Sequence, residues 1–384
     1  MRLLYVTHLT ERNGATLALR NIIEGMLKRG VEVGIVAPSE EGFICDEVKR
    51  LGGKVLSNFP YPWALIKGQI SFKTYITAQW KTYRLIKEFN PDIVHLNTGI
   101  IDFSLLGCLF AHIPMVWHAR EYIDKDFGIS ISGGMTLHRW LMKLPFVHCV
   151  AITKGVFEYF SFSNKKDIVV YDGVISSDDE CFLTSQDKNT KYFLYVGTFI
   201  EGKGAHVIFE QFSEIYKQHP EVELWLACRF DVNSDYYKRC VSIAQSGGFV
   251  QNIKFLGFST DVYSLMRGAV AVIIPSRFEG FGFICAEAMY NECVVIGRDT
   301  AGIKEQLDKG IEETGSEIGL RFREDEELPR LMHKALSDNF SEMKRFAKEV
   351  VLRNYSMDKN VDEIYKFYER INLSSTHICH SSKK

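Results

Sequence analysis

Two glutamates stand eight positions apart in the stretch SRFEGFGFICAEAMYNE: Glu279 and Glu287, with Gly-Phe-Gly between them. On one ideal helix such a pair would diverge by ~80° and lie ~12 Å apart along the axis, too far to converge on one small group. Gly280 and Gly282 are poor helix-interior residues but suit a tight loop leaving a strand end, and the apolar run AVAVIIP directly precedes them. Glu279 is therefore expected in that loop and Glu287 about one turn into the helix behind it. Between them would lie the unpaired amides of the helix N-terminus, an anion site. One carboxylate can accept hydrogen bonds from hydroxyls on one side of an anion, and the other from hydroxyls on the far side. A sugar–diphosphate–ribose has that layout.

Other residues could serve the same chemistry. Lys203, flanked by Gly202 and Gly204 just after the run YFLYVG, favours a phosphate ligand over plain surface charge. His118 closes the apolar run PMVW. Asp124-Lys-Asp126 has the spacing of a metal-binding pair but follows no clear strand, and reads as solvated loop. No nicotinamide-dinucleotide fingerprint, nucleophile elbow or zinc-protease motif is present, and the terminal His377, Cys379 and His380 lack a fourth ligand. No metal and no cofactor is expected.

The elements that would position these residues repeat one pattern. LLYVTH is a short β-rich run; Leu19, Ile22, Ile23, Met26 and Leu27 mark one helical face; Gly30 ends it before VEVGIVA. Strands that read as continuous apolar runs, alternating with helices, indicate parallel sheets covered on both faces. The pattern lapses in SSDDECFLTSQDKNT and then resumes from KYFLYVGT. The expected fold is therefore α/β with two Rossmann-like doubly wound domains facing across a cleft. The first spans 1–175 and is joined by a closing helix at about 356–372; the second spans 190–355; 373–384 form a disordered tail.

A length of 384 residues suits two cores rather than one. The net charge of −2 removes any global attraction to nucleic acid, and nine scattered cysteines without a CxxC pair read as reduced, mostly buried thiols. The N-terminus lacks signal-peptide features, and the longest apolar region is broken by His112 and Pro114, so a cytoplasmic protein is expected. Residues 59–89 interleave Lys67, Lys73, Lys81, Arg84 and Lys87 with Trp63, Phe72, Tyr75, Trp80 and Tyr83. Basic residues among aromatics suit contact with anionic lipid at the inner face of a membrane, although a helix with one buried and one solvated face is the commoner reading.

The run from NIKFLGF to GIKEQL resembles the donor half of retaining glycosyltransferases of family 4, which have the GT-B fold and an E-x7-E motif, here Glu279 and Glu287. DIVHL, VWHARE, AITKGVFEYF, VVYDGV and YVGTFIEGKG follow the family's order upstream, and RFAKEVVLRNYSMDKNVDEIYKFYERI is similar to its closing helix. The resemblance covers roughly 1–372. It implies that Glu279 contacts the transferred sugar and Glu287 the ribose, with the amides of Phe281, Gly282 and Phe283 facing sugar and phosphate. It further implies Lys203 on the diphosphate, His118 near the reaction centre, and Gly14 and Ala15 at a small-residue turn approaching donor and acceptor. The family usually carries an arginine where this chain has Thr198, which halves the expected cationic clamp; Arg229, Arg277 or Arg120 are the candidate substitutes. Asn291-Glu292 replace a glycine-containing turn and touch only packing.

The implied activity is metal-independent transfer, with retention, from a nucleoside-diphosphate sugar to a glycan or lipid-linked acceptor in cell-surface polysaccharide synthesis. Two alternatives stand beside it: a nucleotide-sugar epimerase or hydrolase of the same fold, and a non-catalytic glycan-binding relative.

Overall fold

The computed structural model describes residues 1–384 apart from 57, 58, 62, 65–69, 176–189, 260 and 382–384. The chain divides into two compact units, 1–176 with 357–384, and 177–356. Most of the stretch read as a linker, together with Lys67 and Cys181, lies outside the described residues, as do the side chains of His377, Cys379 and His380.

Unit 1 holds seven strands: β1 (Arg2–Val6), β2 (Glu32–Val36), β3 (Lys54–Val55), β4 (Ile93–Leu96), β5 (Met115–Ala119), β6 (Val147–Ala151) and β7 (Ile168–Val169). Their order is β3-β2-β1-β4-β5-β6-β7, all parallel. The helix Gly14–Lys28 is started by Asn13, whose side chain accepts from the Thr16 amide while Thr16 Oγ1 accepts from the Asn13 amide, both at 3.0 Å. Its buried face, Leu19, Ile22, Ile23 and Met26, packs into one core with Val361, Ile364, Phe367 and Tyr368 of the closing helix Met357–Ser381. A Cβ on Gly25 would stand 2.4 Å from Val361 Cγ1, so glycine permits this close helix approach. The closing helix keeps helical backbone through Ser381, past residue 372, where it was expected to end; no glycine or proline interrupts 373–381.

Unit 2 holds six strands: β8 (Tyr192–Thr198), β9 (Glu223–Arg229), β10 (Ile253–Phe255), β11 (Ala271–Ile274), β12 (Val294–Arg298) and β13 (Leu320–Phe322). They are parallel in the order β10-β9-β8-β11-β12-β13, over a core that includes Phe193, Tyr195, Phe209, Phe212 and Phe249. In both sheets the order reverses next to the first strand, at β1/β4 and at β8/β11. Such a point leaves a crevice at the strand carboxyl ends because neighbouring connections run to opposite faces. The seven cysteines described, Cys45, Cys108, Cys149, Cys228, Cys240, Cys285 and Cys293, are all free and buried.

Candidate functional site

In unit 2 the β8/β11 crevice gathers the charges singled out in the sequence. Lys203 ends a 3-10 turn, Glu201–Lys203, in the loop after β8, and Glu279 lies in the loop after β11. Lys203 Nζ donates to Glu279 Oε1 at 2.8 Å. Gly204 has φ +73°, and a Cβ there would meet the Pro275 carbonyl at 2.7 Å; glycine is what lets the lysine loop lie against the glutamate loop. Ser276 Oγ adds a bond to the Lys203 carbonyl at 3.3 Å.

The glutamate loop is staked from behind by the helix Ala301–Thr314. The Gly302 amide donates to the Glu279 carbonyl at 2.9 Å, and Gln306 Nε2 donates to the carbonyls of Phe281 (2.6 Å) and Gly282 (3.1 Å). These bonds hold the carbonyls of Glu279, Phe281 and Gly282 from the side of that helix. Gly282 takes φ +91° and caps the helix Phe283–Tyr290, whose first-turn amides follow. Phe281 is buried edge-on against Phe283 and Tyr355, which anchors the turn. Arg298 Nε, at the end of β12, donates to the Pro275 carbonyl and holds the loop's entry.

Glu287 sits in the second turn of that helix, as the spacing argument expects. Its carboxylate is half-buried, has no hydrogen bond or ion pair among the described residues, and is pushed up to about 7 by burial. A carboxylate left unpaired has acceptor capacity to spare. Behind it, Asn291 accepts from Arg267 Nη1 at 2.7 Å and donates to the Glu287 carbonyl, while Glu292 adopts φ +54°. The departure at Asn291-Glu292 thus carries a left-handed residue that glycine would take without strain.

Unit 1 has its own polar cluster, around the ends of β4 and β5. His118 is fully buried, its Nδ1 3.3 Å from both Arg120 Nη2 and His95 Nε2. Arginine can only donate, so His118 Nδ1 accepts and the proton sits on Nε2, which has no partner among the described residues. Burial, reinforced by the Arg120 charge, holds His118 well below the usual imidazole range, so the ring is neutral. Arg120 Nη1 donates to both carboxylate oxygens of the buried Asp172, and its Nε donates to the Asn97 carbonyl and side chain. Asn97 Nδ2 in turn donates to the Ala15 carbonyl, which ties the start of the first helix to β4. Tyr368 of the closing helix places its hydroxyl 2.6 Å from His95 Nδ1. Glu121, also buried, accepts from the Ile100 amide and is pushed up to about 8 by burial.

Comparison with known proteins fits this arrangement. Residues 12–151 match the family described as Glycosyltransferase Family 4, and residues 179–352 the family described as Glycosyl transferases group 1. The chain belongs to the family 4 type of glycosyltransferase. It is 23% identical over 326 residues to the capsular polysaccharide biosynthesis glycosyltransferase CapH of Staphylococcus aureus, covering 80% of this chain and 83% of CapH. It is 21% identical over 389 residues to the uncharacterized glycosyltransferase MJ1607 of Methanocaldococcus jannaschii, covering 93% and 94%. Among solved structures, Anabaena Alr3699/HepE in complex with UDP superposes with a TM-score of 0.76 at 18% identity, covering 96% of this chain and all of that one. The fold is GT-B.

Within this glycosyltransferase several sequence expectations change. Arg120, one of the candidate substitutes for the arginine missing at Thr198, lies in unit 1 and is bound there by Asp172 and Asn97. Asp124 and Asp126 form no open loop. They lie in the short helix Asp124–Phe127, where Asp126 accepts from the Tyr122 amide and Asp124 from the Tyr159 hydroxyl. Gly14 and Ala15 open the first helix, Gly14 with backbone outside the left-handed region. Thr198 is exposed at the end of β8. Among the described residues, no group of three His, Cys, Asp or Glu could hold a metal ion, and no helix is long and apolar enough to cross a membrane.

Gln306, Gly302, Arg298 and Asn97 were missed by the sequence reading. Their signal exists only in three dimensions, because each acts through a backbone group distant in sequence.

Proposed function

We propose that this glycosyltransferase binds a nucleoside-diphosphate sugar over the β8/β11 crevice of unit 2 and transfers the sugar with retention to a glycan or lipid-linked acceptor. The observation that carries the reading is the Lys203–Glu279 pair, set beside a helix start and one turn from an unpaired Glu287. Lys203 and the helix amides face the diphosphate and stabilise the charge that grows on it as the bond to the sugar breaks. Glu279 orients sugar hydroxyls, and Glu287 accepts from the ribose. For His118, held neutral by burial, a hydrogen-bonding role fits better than acid catalysis.

In the proposed step the acceptor oxygen bonds to the anomeric carbon on the face from which the diphosphate leaves. The bond from that carbon to the phosphate oxygen breaks, and the acceptor proton passes to the departing oxygen. The cationic role falls to protein groups, so transfer should survive chelation of divalent metals. UDP in the structural neighbour HepE supports a nucleotide donor, and the capsular role of CapH supports a place in cell-surface polysaccharide assembly.

The acceptor side has a membrane-facing candidate. The helix Phe72–Phe89 exposes Phe72, Ile76 and Trp80, at four-residue spacing, beside Lys73, Lys81, Arg84 and Lys87, with Phe110 exposed on the helix Leu105–Ala111 packed against it. A basic, aromatic stripe of this kind suits anionic lipid at the inner face of a membrane.

Incubating the protein with a panel of nucleotide sugars and candidate acceptors, and reading the product's anomeric configuration by NMR, tests the reading. A retained configuration in acceptor-dependent product supports it. Stoichiometric release of free sugar without acceptor would favour the epimerase or hydrolase alternative, and no donor-induced thermal shift the non-catalytic one.

A further inference from the structure

The donor site just described is short of positive charge. Lys203 contributes one cation, and Glu279 sits on it at 2.8 Å. Glu287 adds no cation. A sugar-linked diphosphate brings roughly two negative charges, one per phosphorus, and such a group is held best by guanidinium or ammonium donors.

The carboxyl ends of the unit 2 strands supply few further cations. Arg298, after β12, is committed to the Pro275 and Arg323 carbonyls and to Asp325. Arg321 and Arg323, on and after β13, pair with Asp299, and Arg321 also with Asp308 and Glu317. Two arginines remain without an acidic partner among the described residues: Arg229, the last residue of β9, and Arg277, after β11. Arg277 has its backbone carbonyl tied to Thr300 Oγ1, in the loop after β12.

Arg229 lies on the lysine side. It is the register partner of Thr198, so the two occupy neighbouring positions at the ends of adjacent parallel strands, ~4.8 Å apart, and project to the same face. Thr198 is five residues before Lys203 and carries no charge. The Arg229 guanidinium lies over the exposed ring of Phe258, 4.8 Å from its centroid, in the loop after β10. An aromatic face holds a guanidinium in place while leaving its N–H edge free to donate.

We propose that Arg229 is a donor-phosphate ligand of this enzyme, reaching past Thr198 to the diphosphate beside Lys203, with Phe258 as the shelf that orients it. The proposal rests on the donor site in unit 2. It makes the small residue at 198 part of the design, since a long side chain there would compete with Arg229 for the same space.

Calorimetric titration with UDP, ADP and GDP and with the matching nucleosides tests it. The wild type should bind at least one diphosphate. Arg229→Ala should weaken that diphosphate roughly 10-fold or more while leaving its nucleoside unchanged, as loss of a charge-assisted phosphate contact requires. Thr198→Arg in the Arg229→Ala background should recover affinity, and Lys217→Ala, an exposed charge at the far end of the helix Ala205–Gln218, should change nothing. Diphosphate binding intact in Arg229→Ala, or lost in Arg277→Ala instead, would overturn the assignment while sparing the donor site. Equal weakening of nucleoside and diphosphate would reduce Arg229 to a structural role and overturn it too. A wild type that binds no diphosphate at all would overturn the donor reading and this proposal together.

Discussion

Lys203 and Glu279 are 76 residues apart in sequence, yet their side chains meet at 2.8 Å and join the loop after β8 to the loop after β11. Both are partly exposed, so the pair is worth little to stability in itself. Its value is positional: it pre-sets a cation and an acceptor on the two sides of one crevice, and a ligand with a phosphate and hydroxyls can take over both partners.

Removing the two partners should therefore have opposite consequences for nucleotide binding. Lys203→Met is expected to weaken a nucleoside diphosphate by roughly 10- to 100-fold, the loss of one charge-assisted phosphate contact. Glu279→Gln frees the lysine, so binding of the bare diphosphate should hold or tighten while sugar transfer falls by about 100-fold. Titration of both variants with the diphosphate checks this; equal losses would make the pair a brace only.

Glu287 should give pH dependence of a definite sign. Its carboxyl titrates at about 7 in the fold against an ordinary 4.5. Between those values the native state holds a proton that the unfolded chain has lost, so stability falls as pH rises from about 4.5 to 7. Glu287→Gln removes that fall, and its melting temperature relative to wild type should climb between pH 5 and pH 8, by the equivalent of 1–3 kcal/mol on the order-of-magnitude scale. Nucleotide affinity should move the other way. An ionised acceptor serves the ribose better, so wild-type affinity rises through pH 7, and the variant's stays flat and weak.

The staking of the glutamate loop predicts effects from residues that touch no substrate. Gly302→Ala would drive a Cβ to 2.4 Å from the Phe281 carbonyl, and Gln306→Ala would remove the side-chain donor to the carbonyls of Phe281 and Gly282. Each is expected to cost about 1–3 kcal/mol of stability and to lower transfer more than 10-fold, through kcat more than through KM. Melting curves and steady-state kinetics of the two variants read both quantities.

How far this was legible in the sequence depends on the range of the interactions. The β-α alternation and the glycine-interrupted glutamate pair are local signals, so two parallel sheets and the loop–helix placement of Glu279 and Glu287 could be read directly. Lys203 was legible through its flanking glycines, but its contact with Glu279 was not, because nothing local reports the β8/β11 adjacency. Arg120 looked available because its partner Asp172 is 52 residues away. Gln306 looked like an ordinary polar residue on an amphipathic helix, and only the fold reveals that it donates to the turn at 281–282. The helical backbone beyond residue 372 was missed because a polar, Ser-rich composition says little when no glycine or proline breaks the register.

The exposed stripe of the helix Phe72–Phe89 can be tested apart from catalysis. Trp80, 60% exposed, and Phe72, 68% exposed, can be changed without opening the core. Wild type is expected to co-sediment with vesicles containing anionic lipid and to lose most of that binding in 1 M salt or as Trp80→Glu with Phe72→Glu. Co-sedimentation indifferent to lipid charge would count against the stripe as a membrane surface.

The most direct test of the central claim is a crystal structure of the protein soaked with the nucleoside diphosphate that stabilises it best. The account expects the phosphates against Lys203 and the amides of residues 281–283, with the ribose hydroxyls on the Glu287 carboxylate. A diphosphate ordered elsewhere on the molecule, with the loops at 198–203 and 276–283 untouched, would contradict it.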